Sequence, residues 1–470
     1  MNEFPFGYEK IGPASWAYLS GILALTLFFK FNRFLSLRNL DLLLLLLLSP
    51  GLVLVIVNEA AWREYRVQAA EVAATTAGTD SPSFAAAEPR EALPDDAMPL
   101  AEKKLMRRAR AGYIWLFSVG SLLLARMLLD PVLIRRPLLE PNLSVGGLTF
   151  LVCCQLVFLV AQILQRDPEP EELAGPRDAL EMVQGNAADV ARDFRQYGPG
   201  LGIIHLIPVL PTYFAGERAA SPMTSTEMEV EAKVIAIIVA ILLQLVIVFG
   251  LIYIGKRHFG DSHVGLGMAA LHLMLPYTDQ FGGHVLHILP AALLIWAIAV
   301  YRRPVLAGIL IGLVAGVTYY PLFLLPLWFS FYWERGAARF LWGLLSSIAA
   351  LILALYLIVP TWADFGLQIR SMFGFWLPKV DGLFGIWRLG WDPWFRLPFL
   401  VAFLGLSISF SFWPTRKNLG TLIAYSAALM VAVQFWHGHI YGGGLLMAWY
   451  LPVAMMAMFR PNLEEVTATS

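Results

Sequence analysis

Between Leu275 and Arg339 the chain passes through apolar stretches whose polar residues are pushed to their ends. The first follows LPYTDQFGGH and runs to the turn Tyr301-Arg302-Arg303-Pro304. The second runs to Tyr319-Tyr320-Pro321, and the third keeps charge away until Glu334. A bilayer interior offers no water to satisfy backbone N–H and C=O groups. A segment that crosses it must therefore close its own hydrogen bonds as a helix and hold its charges at the ends. This pattern leaves little choice but membrane hairpins.

Composition extends that conclusion to the whole chain. The apolar share is 58% against 14% charged, with a mean hydropathy of +0.65, whereas a soluble domain is about half apolar and about a quarter charged. The expected fold class is all-α: a polytopic integral membrane protein with roughly 12–14 transmembrane helices, multi-pass in the cell (inner) membrane. The formal net charge of +0 offers no clustered basic surface for phosphate backbones, so no nucleic-acid partner is expected and membrane lipid is. The two cysteines, Cys153 and Cys154, are adjacent inside an apolar run, which suits burial rather than a disulfide or a metal.

Taken in order, the N-terminus lacks the pattern of a cleaved signal peptide. Residues 1–58 read as a membrane hairpin: Trp16 to Phe29, then a leucine-rich segment opened by Asp41 and broken at Ser49-Pro50-Gly51. Residues 59–111 turn rich in Ala, Glu, Asp, Pro, Ser and Thr and read as a disordered or loosely helical polar loop. It ends in Lys103, Lys104, Arg107, Arg108 and Arg110, a cluster expected in the cytoplasm. A second hairpin covers 112–165 and a mostly acidic insertion 166–198, read as cytoplasmic surface. The main membrane domain is 199–460, with an external loop at 361–394 and a tail at 461–470. Within it, Ile203 to Tyr213 is short for a span and suits a kinked or re-entrant element. Basic pairs at Lys256-Arg257, Arg302-Arg303, Arg335 to Arg339 and Arg416-Lys417 mark the cytoplasmic side. Counted this way there are roughly fourteen crossings with both termini inside. One loop disagrees, because Lys30, Arg33 and Arg38 would lie outside.

Walker, dinucleotide-binding and His-Glu-x-x-His patterns are absent from the sequence. Chemistry is expected at the external membrane face, where acids, histidines and aromatics collect: Asp279, His284 and His287, then Trp362 to Trp394, then His437 and His439. The Thr361–Trp394 stretch reads first as an aromatic belt that anchors neighbouring helices, and second as a lid whose Arg370, Lys379 and Arg388 hold a lipid phosphate. The four histidines lack a matching acid or cysteine at ligand spacing, so no metal is expected.

Gln280, the apolar helix to Arg302-Arg303-Pro304, Ala307-Gly308, Gly312-Leu313, Gly316 and Tyr320-Pro321-Leu322 together resemble the membrane core of family 87 of the GT-C glycosyltransferases. The resemblance spans residues 232–345. It implies transfer of a sugar, often mannose, from a polyprenyl-phosphate donor on the outer face, with that lipid-linked sugar as substrate and no separate cofactor. It also implies a substrate site that includes Gln280, His284 and Tyr320. Two features depart from the family pattern. Thr318-Tyr319 stands where a basic residue is usual, and the first loop, Phe31 to Leu40, carries no acid. The base would then be Asp279, at the mouth of two helices, with Glu59 as the fallback if the first hairpin is inverted. Asp279 also suits a helix N-cap. Asp279, His284 and one of Arg370, Lys379 and Arg388 are expected to converge on one external cavity. The alternatives are a transporter or flippase-like protein, which would place ionisable groups at mid-membrane, and a non-catalytic multipass protein.

Overall fold

The computed structural model describes residues 12–77, 99–133, 138–184, 200–215, 224–359, 361–373, 383, 385–388, 391–415, 417–438 and 443–461. Among these there is no strand. The helices are α1 (Pro13–Phe28), α2 (Leu37–Ala77), α3 (Leu100–Leu128), α4 (Val145–Gln165), α5 (Ala174–Gln184), α6 (Gly200–Ala215), α7 (Ser225–His258), α8 (Ser262–Met274) and α9 (Pro276–Phe281). They continue with α10 (Val285–Ala299), α11 (Pro304–Val317), α12 (Leu325–Tyr332), α13 (Ala337–Ile358), α14 (Trp362–Phe373), α15 (Arg396–Phe412), α16 (Leu419–Val433) and α17 (Leu451–Phe459). Five are long and apolar enough to cross a membrane: Leu37–Arg66 within α2, then α3, α4, α7 and Ala337–Leu357 within α13. The protein is all-α and of integral membrane type.

Polar contacts define two ends of the bundle. At one end Arg38 donates to the carbonyls of Phe28, Leu138 and Glu140, and His263 meets the Leu143 carbonyl at 2.6 Å. His258 meets the Ala299 carbonyl, Tyr332 donates to Tyr301 O and Arg335 donates to Lys417 O. A buried ionic chain completes this end. Arg126 is bidentate on Asp41 at 2.5 and 2.8 Å and reaches Asp130 at 2.8 Å; Asp130 in turn receives Arg460 at 2.5 Å. At the other end lie Arg63 near Glu169, Lys233 near Asp167, Arg110 over Trp391 and the Tyr113–Glu59 hydrogen bond.

These contacts correct the topology drawn from the sequence. Lys30, Arg33 and Arg38 share their end with Lys256, Arg302, Arg335 and Lys417, so the first hairpin no longer stands against the other loops. The Lys103–Arg110 cluster and residues 166–184 sit at the end opposite Lys256, not beside it. Arg135, Arg136 and Arg416 lie outside the described residues.

Two local readings also change. Helix α2 runs through Pro50 without a break; in an apolar bundle a missing N–H is tolerated because neighbouring helices and local adjustment re-satisfy the backbone. The polar stretch from Glu59 is helical to Ala77, and α3 starts at Leu100. Ala, Glu and Arg are strong helix formers, and Glu59 precedes Arg63 by four residues. Trp62 also donates to Glu102 at 3.0 Å and Tyr113 to Glu59 at 2.7 Å, which ties the two helices together.

The closest packing is between α11 and α13, which run parallel. Gly308, Gly312 and Gly316 form a small-residue stripe four apart. A Cβ on Gly308 would lie 2.2 Å from Phe340 O, and one on Gly343 would lie 2.0 Å from Val305 O. In the absence of a hydrophobic drive between lipid-exposed helices, such backbone approach is what brings dispersion contacts into play.

Candidate functional site

Pro276 separates α8 from α9, since proline lacks the N–H that would continue the ladder and suits a first helical position. Helix α9 then ends at Gly282-Gly283. A Cβ on Gly282 would lie 2.3 Å from Thr278 O, and one on Gly283 would lie 2.6 Å from Arg166 Nη2. Glycine at 283 therefore lets the Arg166 guanidinium come against the start of α10. Gln244 of α7 donates to Gly282 O at 3.1 Å and fixes the turn from below.

Arg166 closes the end of α4 and forms a triangle with Glu172 and His284. Its Nη2 donates to Glu172 Oε2, its Nη1 lies 2.9 Å from His284 Nε2, and His284 Nδ1 lies 2.7 Å from Glu172 Oε1. A guanidinium only donates, so His284 Nε2 accepts and Nδ1–H donates to Glu172. Burial pushes the Glu172 carboxyl up, but the hydrogen bond from His284, then the charge and hydrogen bond of Arg166, outweigh it and hold Glu172 below the ordinary carboxylate value.

A small pocket opens beside this triangle, lined by Glu171, Glu172, Leu201, His205 and His284 to His287, with room for about one water. Its walls combine the aliphatic Leu201, Val285 and Leu286 with acids and histidines. His287 stacks on Phe281 with ring centroids 4.9 Å apart and shares a hydrogen bond with Tyr277. His205 donates through Nδ1 to Leu201 O at 2.7 Å, and its buried Nε2 has no hydrogen-bond partner among the described residues. Gly175 makes this approach possible, as a Cβ there would lie 2.8 Å from His205 Nδ1.

A second polar nest adjoins the first. Tyr320 hydrogen-bonds His437 Nδ1, and its ring lies 4.0 Å from that of Tyr319 and 5.1 Å from that of Trp449. Arg396 donates to Trp436 O at 3.0 Å, and Trp449 donates to Leu286 O at 3.2 Å, which joins this nest to the start of α10.

Of the residues singled out in the sequence, His284 and Tyr320 are thus brought close through Trp449 and Leu286. Asp279 and Gln280 are half-buried on α9, Gln280 donating to Asp279 Oδ2 at 2.5 Å. Leu275, not Asp279, is the N-cap of α9, and Asp279 does not line the pocket. Glu59 accepts from Tyr113. Arg370 is exposed in the last turn of α14. Arg388 ends a short 3-10 helix, Gly385–Arg388, with its side chain outside what is described; Lys379 and His439 lie outside the described residues. The cations beside His284 and Tyr320 are instead Arg166 and Arg396. The sequence reading passed over both, together with Glu172 and His205. Arg166 carried one usable signal, as the first charge after the apolar run of α4. Among the described residues no group of three His, Cys, Asp or Glu side chains is arranged to hold a metal ion.

No family model matches this chain. Nor does any curated protein match it in sequence.

Proposed function

We propose that this protein is a multipass membrane glycosyltransferase of GT-C-like type that transfers a sugar from a polyprenyl-phosphate donor at the extracytoplasmic face. The observation that carries the reading is the Arg166–Glu172–His284 triangle at the small pocket, at the bundle end opposite Lys30, Arg38, Lys256, Arg302 and Arg335. Every short loop at that opposite end carries Lys or Arg, and on this pattern we assign it to the cytoplasm, so that the triangle stands on the extracytoplasmic side together with the Lys103–Arg110 cluster. Buried charge at a membrane edge points to function when it surrounds a pocket rather than bracing helices.

In the proposed reaction the acceptor oxygen bonds to the anomeric carbon as the bond from that carbon to the phosphate oxygen breaks. The phosphate leaves with the electron pair. Asp279 takes the acceptor's proton, its carboxylate oriented by Gln280. Arg166 and Arg396 stand nearest to the two nests and supply positive charge for the departing phosphate. Glu172 is poorly suited as the base, because two partners favour its ionised form and weaken it as a proton acceptor; its role is to hold His284 and Arg166 in place.

The test is sugar transfer from a polyprenyl-phosphate donor in purified membranes. Loss of a general base costs about 10²- to 10⁴-fold in rate, and Asp279→Asn is expected to fall in that range with the protein still folded. Full activity in Asp279→Asn removes Asp279 as the base. Absence of transfer by the unaltered protein with every polyprenyl-phosphate sugar supplied overturns the enzyme reading.

A further inference from the structure

We propose that the first turns of α3 form a docking strip for anionic phospholipid headgroups in the leaflet at the site end of the bundle. Lys103, Lys104, Arg107, Arg108 and Arg110 are all exposed. Their spacing of three, four and seven puts them on one side of the helix, while Glu102 and Ala109 on the other side are buried against α2. Glu102 accepts from Trp62, so the acid closest to the strip in sequence points away from it.

Depth identifies the occupant. Arg126 is locked into the buried ionic chain at the far end of the bundle. At 1.5 Å per residue, Arg110 stands about 24 Å and Lys103 about 35 Å along the axis from it. A hydrocarbon core is about 30 Å thick and a bilayer with its headgroups about 40–45 Å. The strip therefore begins at the edge of the core and continues through the headgroup layer, where a phosphodiester is the abundant anion. Aromatic residues mark the same level. The Arg110 guanidinium lies 5.3 Å from the centroid of the exposed Trp391 ring, and Trp394 and Phe395 are exposed beside it. Amphipathic rings collect at this boundary. Cations on a helix face at this depth with an exposed tryptophan among them meet the charge and the polarity of an anionic headgroup together. The strip is separate from the Arg166–Glu172–His284 triangle, and its binding of lipid is independent of sugar transfer.

Each Lys or Arg near an anionic surface is worth about a fivefold gain in binding, so removing four is expected to lower affinity roughly six-hundredfold. The experiment titrates the purified full-length protein, in detergent at low salt, with phosphatidylglycerol and separately with phosphatidylcholine, and counts bound lipid by native mass spectrometry. The unaltered protein is expected to prefer phosphatidylglycerol, and K103Q/K104Q/R107Q/R108Q to lose that preference with phosphatidylcholine binding unchanged. Raising the salt should weaken the phosphatidylglycerol complex of the unaltered protein only. Should the fourfold variant fail to fold, R107Q and R108Q singly should each lose about fivefold. Equal binding of the two lipids by the unaltered protein, or undiminished phosphatidylglycerol binding by the variants, overturns the proposal.

Discussion

Glu172 and Asp130 are both buried acids with basic partners, at opposite ends of the bundle, and their environments lead to different expectations. Glu172 sits outside the spanning segments with its value held below the ordinary 4.5. A carboxyl depressed in the folded state contributes stability that is present above its unfolded value and is lost as pH falls through the folded one. Glu172→Gln is expected to cost about 2–4 kcal/mol at neutral pH, less than a fully enclosed pair because Arg166 is partly exposed. The difference in melting temperature between variant and unaltered protein, followed in detergent from pH 7 downward, should shrink below about pH 4.5. A difference that stays constant or grows as the pH falls contradicts the assignment. Asp130 lies in the ionic chain that ties α3 to the end of α17. Asp130→Ala leaves Arg460 buried without its carboxylate and should cost about 3–5 kcal/mol. In a double-mutant cycle with Arg460→Ala the two changes should be less than additive by more than about 0.5 kcal/mol, whereas additivity would show that the pair is not coupled.

At the level of single elements, the α11–α13 contact separates two kinds of close approach. A Cβ at Gly308 meets the Phe340 carbonyl, which is backbone and cannot rotate away. At Gly312 the nearest atom is Ser347 Oγ, 2.0 Å off, and a serine rotamer can change. Gly308→Ala should therefore lose about 1–3 kcal/mol and Gly312→Ala clearly less, as read from thermal unfolding in detergent; the reverse order contradicts the packing. The stripe of glycines was visible in the sequence, and it entered there only as part of a family resemblance. Its packing role became plain with the partner helix, since no local signal says that α13 runs parallel to α11. The long apolar segments were legible because lipid permits few alternatives. Pro50 misled for a related reason, as a rule drawn from water-soluble helices was applied where neighbouring helices satisfy the backbone. For residues 59–77 the sequence left disorder and loose helix open, because the segment is low in hydrophobic residues; helix propensity and the Glu59–Tyr113 and Trp62–Glu102 bonds hold them in α2.

Across the whole molecule, fold class was legible and the arrangement of the two ends was not. Each hydrogen bond that decides it joins distant residues: Arg38 to Leu138 and Glu140, Arg166 to His284, Asp130 to Arg460. His284 was singled out because a polar ring stands out at the end of an apolar run, and Tyr320 only through the family resemblance; the structure places the two in adjoining nests. Sequence reading missed Arg166, Glu172 and Arg396 because charges in long polar segments look alike until folding selects a few. The two ends are proposed to face opposite sides, with the loops at Lys30, Lys256, Arg302 and Arg335 in the cytoplasm and the Arg166–Glu172–His284 triangle outside together with Lys103–Arg110. The direct measurement is labelling of intact cells with a membrane-impermeant maleimide, after Cys153 and Cys154 are replaced and single cysteines introduced as Asn32→Cys, Arg302→Cys, Lys104→Cys and Asp167→Cys. All four positions are exposed. Lys104→Cys and Asp167→Cys should label from outside, while Asn32→Cys and Arg302→Cys should label only after the membrane is opened. Labelling of Asn32→Cys and Asp167→Cys from the same side would contradict the two-ended bundle, and labelling of Asn32→Cys and Arg302→Cys alone from outside would place the triangle in the cytoplasm.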